Sequence, residues 1–128
     1  MSLRGIRGAI TVEADRPELI IEATKELLKA ILVSNPTLAL EDIASVFFTT
    51  TSDLRSVYPA RAAREIGWTA VPLMCLQEMP VENSLPLCIR VLIHWNTHQR
   101  QDAVRHVYLR KAVNLRPDLA VSQADLTD

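Results

Sequence analysis

A chain of 128 residues, 48% of them apolar and 23% charged, suits one folded domain with a single core and excludes a wholly disordered chain. Its formal charge of −1 gives no overall attraction for nucleic acid or for an anionic membrane surface. No apolar run reaches the roughly eighteen residues of a membrane span, no cleavable hydrophobic segment opens the chain, and two cysteines are too few for a disulfide framework, so a cytoplasmic protein with reduced thiols is expected.

The opening stretch LRGIRGAITVE predicts a strand approached closely at Gly5 and Gly8. Arg4 and Arg7 differ by three and fall on opposite faces, so one is expected in solvent and the other not. In ADRPELIIEATKELLKAILVSNP, Asp15 and Glu18 have capping-box spacing, Pro17 fits a first turn, and Ile20, Ala23, Leu27 and Ile31 make one apolar stripe. This predicts a long helix lying on a sheet and ending at Asn35 and Pro36, with a short helical turn at TLALED. The β-branched and aromatic run IASVFFTTT is a strand, followed by a polar corner at Ser52 and Asp53. Pro59 opens a second, shorter helix through Glu65, with Gly67 as its C-terminal cap.

The next strand, TAVPLMCLQEM, contains Pro72, which predicts an edge or a bulge. The loop PVENSLP joins it to LCIRVLIHW, and the two strands are expected to form a hairpin. For AVRHVYLRKAVNLRPDL the spacing of Val104, Val107, Tyr108, Ala112 and Leu115 suits a helix, whereas RHVYL by itself suits a strand; both readings stand at this point. Beyond Pro117 the tail from Ala120 is small and polar and is expected to be mobile.

Chemistry enters at Arg90. Along LCIRVLIHW, Leu87, Ile89, Val91, Ile93 and Trp95 share one face, and Cys88, Arg90, Leu92 and His94 share the other. A guanidinium keeps its charge, and burying it unpaired costs several kcal/mol, roughly. Arg90 therefore requires a structural acid or an anionic ligand, and Glu78, at the end of the preceding strand, is the internal candidate.

Familiar catalytic signatures are missing: no Gly-rich phosphate loop, no G-x-S-x-G elbow and no paired Cys-x-x-Cys. His94 and His98 have metal-like spacing but straddle a strand end without a third ligand, so no metal is expected. Cys75 could act with His106 as a nucleophile pair, but an isolated strand cysteine is more often a small buried hydrophobe. What remains is a set of arginines, Arg7, Arg61, Arg64, Arg90 and Arg116, with a carboxylate, a thiol and a tyrosine. Taken singly, Arg61 and Arg64 read as helix-coating charges and Arg7 as the partner of a local acid. Together the set suits a small polyanion and a reaction needing no proton transfer. Residue spacing leads no further than binding a small carboxylated molecule.

The stretches RGIRGAITVE (4–13), VPLMCLQEM (71–79), CIRVL (88–92), RHVYL (105–109) and LRPDL (115–119), in this order, resemble the trimeric chorismate mutases, unrelated to the all-helical ones. The resemblance implies an α+β chain, a mixed β-sheet with one long helix packed on it, assembling as a homotrimeric pseudo-α/β-barrel with active sites at the subunit interfaces. It favours a strand at 105–109 and then a short helical turn. It implies an isomerase that converts chorismate to prephenate by a Claisen rearrangement on the route to phenylalanine and tyrosine, with no cofactor and no covalent intermediate.

By the same resemblance Arg90 faces the ether oxygen and a carboxylate, Glu78 and Cys75 engage the ring hydroxyl, and Arg7 and Tyr108 hold the side-chain carboxylate. Tyr58, Ala60, Arg61, Arg64, Leu73 and Met74 match a wall lent by a neighbouring subunit, and Leu115 with Arg116 match a carboxy-terminal segment that closes the site. Tyr58, Arg61 and Met74 stand where phenylalanine, lysine and a smaller residue are common. Residues 1–119 are expected to form the domain and 120–128 a tail. Two alternatives share the arginines: a non-catalytic trimeric binder of a carboxylated metabolite, and an imine or enamine hydrolase of similar barrel shape.

Overall fold

The computed structural model describes residues 1–115. Five strands make one mixed sheet: β1 (Ser2–Thr11), β2 (Ile43–Thr50), β3 (Leu73–Gln77), β4 (Cys88–Thr97) and β5 (Val107–Tyr108), in the order β3-β2-β4-β1-β5. β4 runs antiparallel to both β1 and β2, while β3 is parallel to β2 and β5 is parallel to β1. Two helices, α1 (Pro17–Ser34) and α2 (Ala60–Glu65), join β1 to β2 and β2 to β3. The segment after β5 resolves the earlier ambiguity: a two-residue strand, then a 3-10 turn over Arg110–Asn114.

The core lies on one side of this sheet. The stripe of α1 is fully buried at Ile20, Ala23, Leu27 and Ile31, and meets Ile6, Ile10, Phe48, Ile89 and Ile93. Gly8 permits this fit: a Cβ there would lie 3.1 Å from Ile31 Cδ1, Val91 Cγ1 and the Val107 carbonyl oxygen. At Gly5 the same construction meets only an ordinary contact at 3.6 Å, so the expected close approach is confined to Gly8. Of the two β1 arginines, Arg7 is exposed, while Arg4 is half-buried and donates through Nε to the Gln99 carbonyl oxygen at 3.0 Å. Gly67, at φ +97, closes α2 in a conformation that disfavours side chains.

Two expectations are corrected. No hairpin joins β3 to β4, because β2 lies between them. The α2 crossover returns β3 parallel to β2 on its outer edge, and the segment 78–87 then spans two strand spacings, about 9.5 Å, to reach β4. Pro72 accordingly precedes an edge strand, where no ladder bond is lost. The capping box of α1 does not form either: Arg16 is the N-cap and makes no side-chain cap bond, and Glu18 pairs with Arg16. Asp15 instead accepts from the backbone N–H groups of Arg55 and Ser56, both at 3.0 Å. Hydrogen bonds from the Ser56 side chain and the Arg55 backbone hold its carboxyl below the usual carboxylate range.

Three side-chain ties place the strands that matter for the site. Buried Asn35 ends α1 and also grips Arg105, accepting from its N–H and donating to its carbonyl oxygen, both at 2.9 Å, which fixes the entry to β5. Thr51 Oγ1 accepts from the Cys88 N–H at 3.0 Å, and Asp53 Oδ2 accepts from the Leu87 N–H at 3.0 Å. These hold Leu87 at φ 53, an uncommon conformation for a branched side chain, so β4 begins at Cys88.

Candidate active site

The sheet's other face is left open except at one end, where Ala112 packs with Ala9, Cys88 and Tyr108. Strand pairing lines up its residues. Thr49 lies opposite Arg90, Arg90 opposite Ala9, and Ala9 opposite Tyr108, a row crossing four strands. The small Ala9 leaves room between Arg90 and Tyr108. Arg7 stands on the same face in the next row, opposite Leu92, which in turn lies opposite Phe47.

A cavity of about 270 Å³ opens here, lined by Arg7, Gly8, Phe47, Thr49, Glu78, Arg90, Val91, Leu92 and Tyr108. Four of the expected residues therefore converge: Arg7, Glu78, Arg90 and Tyr108. Tyr108 is only 3% exposed, whereas the side chains of Arg90 and Glu78 keep 35% and 27% of their surface. Arg90 Nε and Glu78 Oε2 are 3.5 Å apart, an ion pair without a hydrogen bond. Nε of Arg90 is buried and makes no hydrogen bond among the described residues. The Glu78 carboxylate accepts instead from Thr49 Oγ1 at 2.9 Å and from the Met79 N–H at 3.1 Å. His106, weighed above as a partner for Cys75, accepts from the Arg7 N–H at 2.9 Å and so supports β1 beside the cavity.

The remaining expected residues lie elsewhere. Cys75 points to the helix side of β3 and packs against the core, on the opposite face from Met74 and Leu76. Cys75 lines a second groove of about 790 Å³ with Tyr58, Arg61 and Arg64, whereas Glu78 lines the Arg90 cavity. Burial pushes the Cys75 thiol up, with a backbone hydrogen bond from Ala60 opposing. Arg61 is held by Glu65, Nε to Oε2 at 3.0 Å, and Glu65 also accepts from Lys25 at 2.9 Å; these donors, Lys25 first, lower its carboxyl. Ala60 is buried, Leu73 is half-buried against the core, and Met74 is exposed on the cavity side of the sheet, opposite Phe47. Leu115 packs on the cluster of Ala9, Cys88 and Tyr108. Arg116, Pro117 and the tail lie outside the described residues.

Several lining or supporting residues were not foreseen, Thr49, Phe47 and Cys88 among them. Thr49 and Phe47 alternate on β2 toward the cavity, a pattern that the sequence carried but that stayed mute until β2 was placed beside β4. Cys88, two residues before Arg90 on the same face, packs beneath the site, and burial pushes its thiol up to about 11 despite the nearby Arg90 guanidinium. Both cysteines are free, and among the described residues no group of three or more His, Cys, Asp or Glu is placed to hold a metal. No helix among them is long and apolar enough to cross a membrane.

The fold is α+β, and its cavity gathers two arginines, one acid and a tyrosine. Residues 3–119 match the family chorismate mutase type I, and the chain belongs to that family. It is 58% identical over 121 residues to the chorismate mutase AroH of Thermus thermophilus, covering 94% of this chain and 99% of the relative. To the chorismate mutase AroH of Bacillus subtilis it is 48% identical over 124 residues, covering 96% and 97%. A solved structure, a chorismate mutase from Clostridium thermocellum, superposes with a TM-score of 0.82 at 44% identity, covering 84% of this chain and 96% of that one.

Proposed function

We propose that the Arg90 cavity is where this chorismate mutase, an isomerase of aromatic amino acid biosynthesis, turns chorismate into prephenate. The observation that carries this reading is a buried guanidinium Nε that stays 3.5 Å from the Glu78 carboxylate and makes no hydrogen bond among the described residues, while a cavity opens beside it. In the rearrangement the bond from the ether oxygen to the ring breaks as a carbon–carbon bond forms within the same molecule. Nothing is gained or lost. Negative charge grows on the ether oxygen, so a cation already in place at Arg90 favours the transition state over the ground state. Arg7 and Tyr108 hold the side-chain carboxylate and fix the folded conformer in which the reacting carbons meet. Glu78 engages the ring hydroxyl.

Two features support a homotrimer with shared sites. The cavity of about 270 Å³ is at the small end for a ligand site, and it shares no lining residue with the Tyr58, Arg61, Arg64 and Cys75 groove. Seating that groove against the cavity of a neighbouring subunit would complete one enclosure, with Leu73, Met74 and Ala60 in or behind the wall. The open sheet face also exposes Leu3, Met74, Leu76 and Leu92, apolar surface suited to burial between copies. Residues 1–119 are the folded unit in this reading, Leu115 and Arg116 close the site, the tail follows, and the cytoplasm is the compartment. Neither a metabolite-binding module nor an imine hydrolase is favoured for a chain this similar to chorismate mutases.

The deciding experiment follows the loss of chorismate absorbance with purified protein. Conversion to prephenate far above the uncatalysed rate is expected; a rate equal to the uncatalysed one would end the proposal.

A further inference from the structure

A guanidinium and a carboxylate within reach of one another ordinarily close to about 2.7–2.9 Å, often through two parallel hydrogen bonds. A pair closed in that way would occupy both groups. In this chain Arg90 Nε stays 3.5 Å from Glu78 Oε2, although the atom is buried and makes no hydrogen bond among the described residues. The carboxylate is tethered from other directions. Oε2 accepts from Thr49 Oγ1 at 2.9 Å, Oε1 is turned to the Met79 N–H at 3.1 Å, and the Glu78 N–H is anchored on the Thr50 carbonyl oxygen at 2.8 Å. Each oxygen thus already has a donor, and these bonds orient the carboxylate 3.5 Å from Nε instead of in a closed pair with it. Thr49 sits on the strand between the two charges, opposite Arg90 in the ladder, and its β-branched side chain has few rotamers through which to turn the hydroxyl away.

We propose that Thr49 is a positioning residue: its hydroxyl, donating to Glu78 Oε2, keeps the carboxylate from pivoting onto Arg90 and so leaves the Arg90 Nε–H for an anionic oxygen of the ligand. The inference rests on the reading of Arg90 and Glu78 as two poles of the chorismate site. Thr49 itself touches no reacting atom in this account. Its effect is exerted through Glu78, and removing the hydroxyl lets the pair collapse, which weakens the contact that strengthens as charge grows on the ether oxygen.

The test compares Thr49→Val, which keeps the shape and removes the donor, with Thr49→Ser, which keeps the donor. For each full-length variant, kcat and KM are measured by chorismate absorbance, the thermal midpoint by circular dichroism, and the Arg90 Nε–H by ¹⁵N–¹H NMR. Thr49→Val is expected to lower kcat about tenfold, the scale of one hydrogen bond to a charged group, with a smaller change in KM and an unchanged midpoint. Its Arg90 Nε–H signal should become slower to exchange as the carboxylate closes on it, and Thr49→Ser should restore kcat to within about twofold. If Thr49→Val does not fold, Thr49→Ala takes its place with the same expected loss. Wild-type kcat with an unmoved Arg90 signal in the donor-free variant overturns the proposal, as does a rise in KM alone, or a serine variant as impaired as valine. If the wild-type protein leaves chorismate untouched, the functional reading falls, while the exchange of the Arg90 Nε–H still decides the tether.

Discussion

The two sides of β4 obey different rules. Toward α1, Ile89, Val91, Ile93 and Trp95 are all buried, and the chain completes that side by itself. Toward the cavity, Arg90 is half-buried and loosely paired, His94 shares a hydrogen bond with Ser45, and Leu92 is exposed. On the proposed reading, stability is thus concentrated on one face and recognition on the other, one residue apart along the same backbone. The contrast shows why a charge can persist in an apolar strand: it is placed where the fold leaves a partner to be supplied.

Substitutions on alternate positions of β4 should separate these roles. Arg90→Ala is expected to lower turnover by about 10²–10³, the loss typical of removing one donor to a developing oxyanion, while the denaturation midpoint stays put. A normal rate in that variant would erase the functional side of the contrast. Ile93→Ala, three residues away on the closed face, should cost about 2–5 kcal/mol in chemical denaturation and leave kcat of the folded fraction near wild type. If instead it cut kcat as deeply as Arg90→Ala, the two faces would not be separable.

A smaller and more specific effect is expected at Leu92, exposed in the second row of the site between Arg7 and Phe47. Leu92→Glu places a charge on the apolar surface assigned to the subunit interface, and light scattering should report a shift toward monomer with parallel loss of activity. A variant that stays trimeric, or a wild type that is monomeric, would remove the assembly from the account.

Asp15 tests a stabilising contact remote from both faces. Its folded carboxyl titrates below the ordinary value near 3.8, so its contribution is present above that pH and is lost as pH falls through the lowered folded value. Asp15→Ala should therefore lower stability at neutral pH and flatten the acid limb of the stability curve, with little effect on kcat; an unchanged acid limb would show that the 55–56 loop is not held this way. The least effect of all is expected of pH on the rate. Glu65 is pushed toward the ionised form, while burial pushes the thiols of Cys75 and Cys88 toward the protonated one, and the rearrangement moves no proton. Turnover should be nearly level across neutral pH, and a sharp bell would instead point to acid–base chemistry.

Much of this was legible in the order of residues. Side-chain alternation and helical periodicity are local, so the stripe of α1, the two faces of β4 and the oddity of Arg90 could all be read before any fold was known. Strand order was not legible. Adjacency in the chain suggested a hairpin of β3 with β4, but the segment 78–87 is long enough to step over β2, and the loop sequence does not record that choice. The spacing of Asp15 and Glu18 correctly marked the start of α1, but not the fate of the Asp15 carboxylate, which a loop forty residues away claims.

The chain alone therefore determined which residues alternate, which are buried and which charge needs a partner, because those follow from the geometry of the nearest few peptide units. Only tertiary pairing decided that Thr49 stands between Glu78 and Arg90, that Ala9 opens space before Tyr108, and that Cys75 turns away to another groove. Those placements depend on which strands meet across the sheet, a competition among distant segments that is settled by burying one shared core.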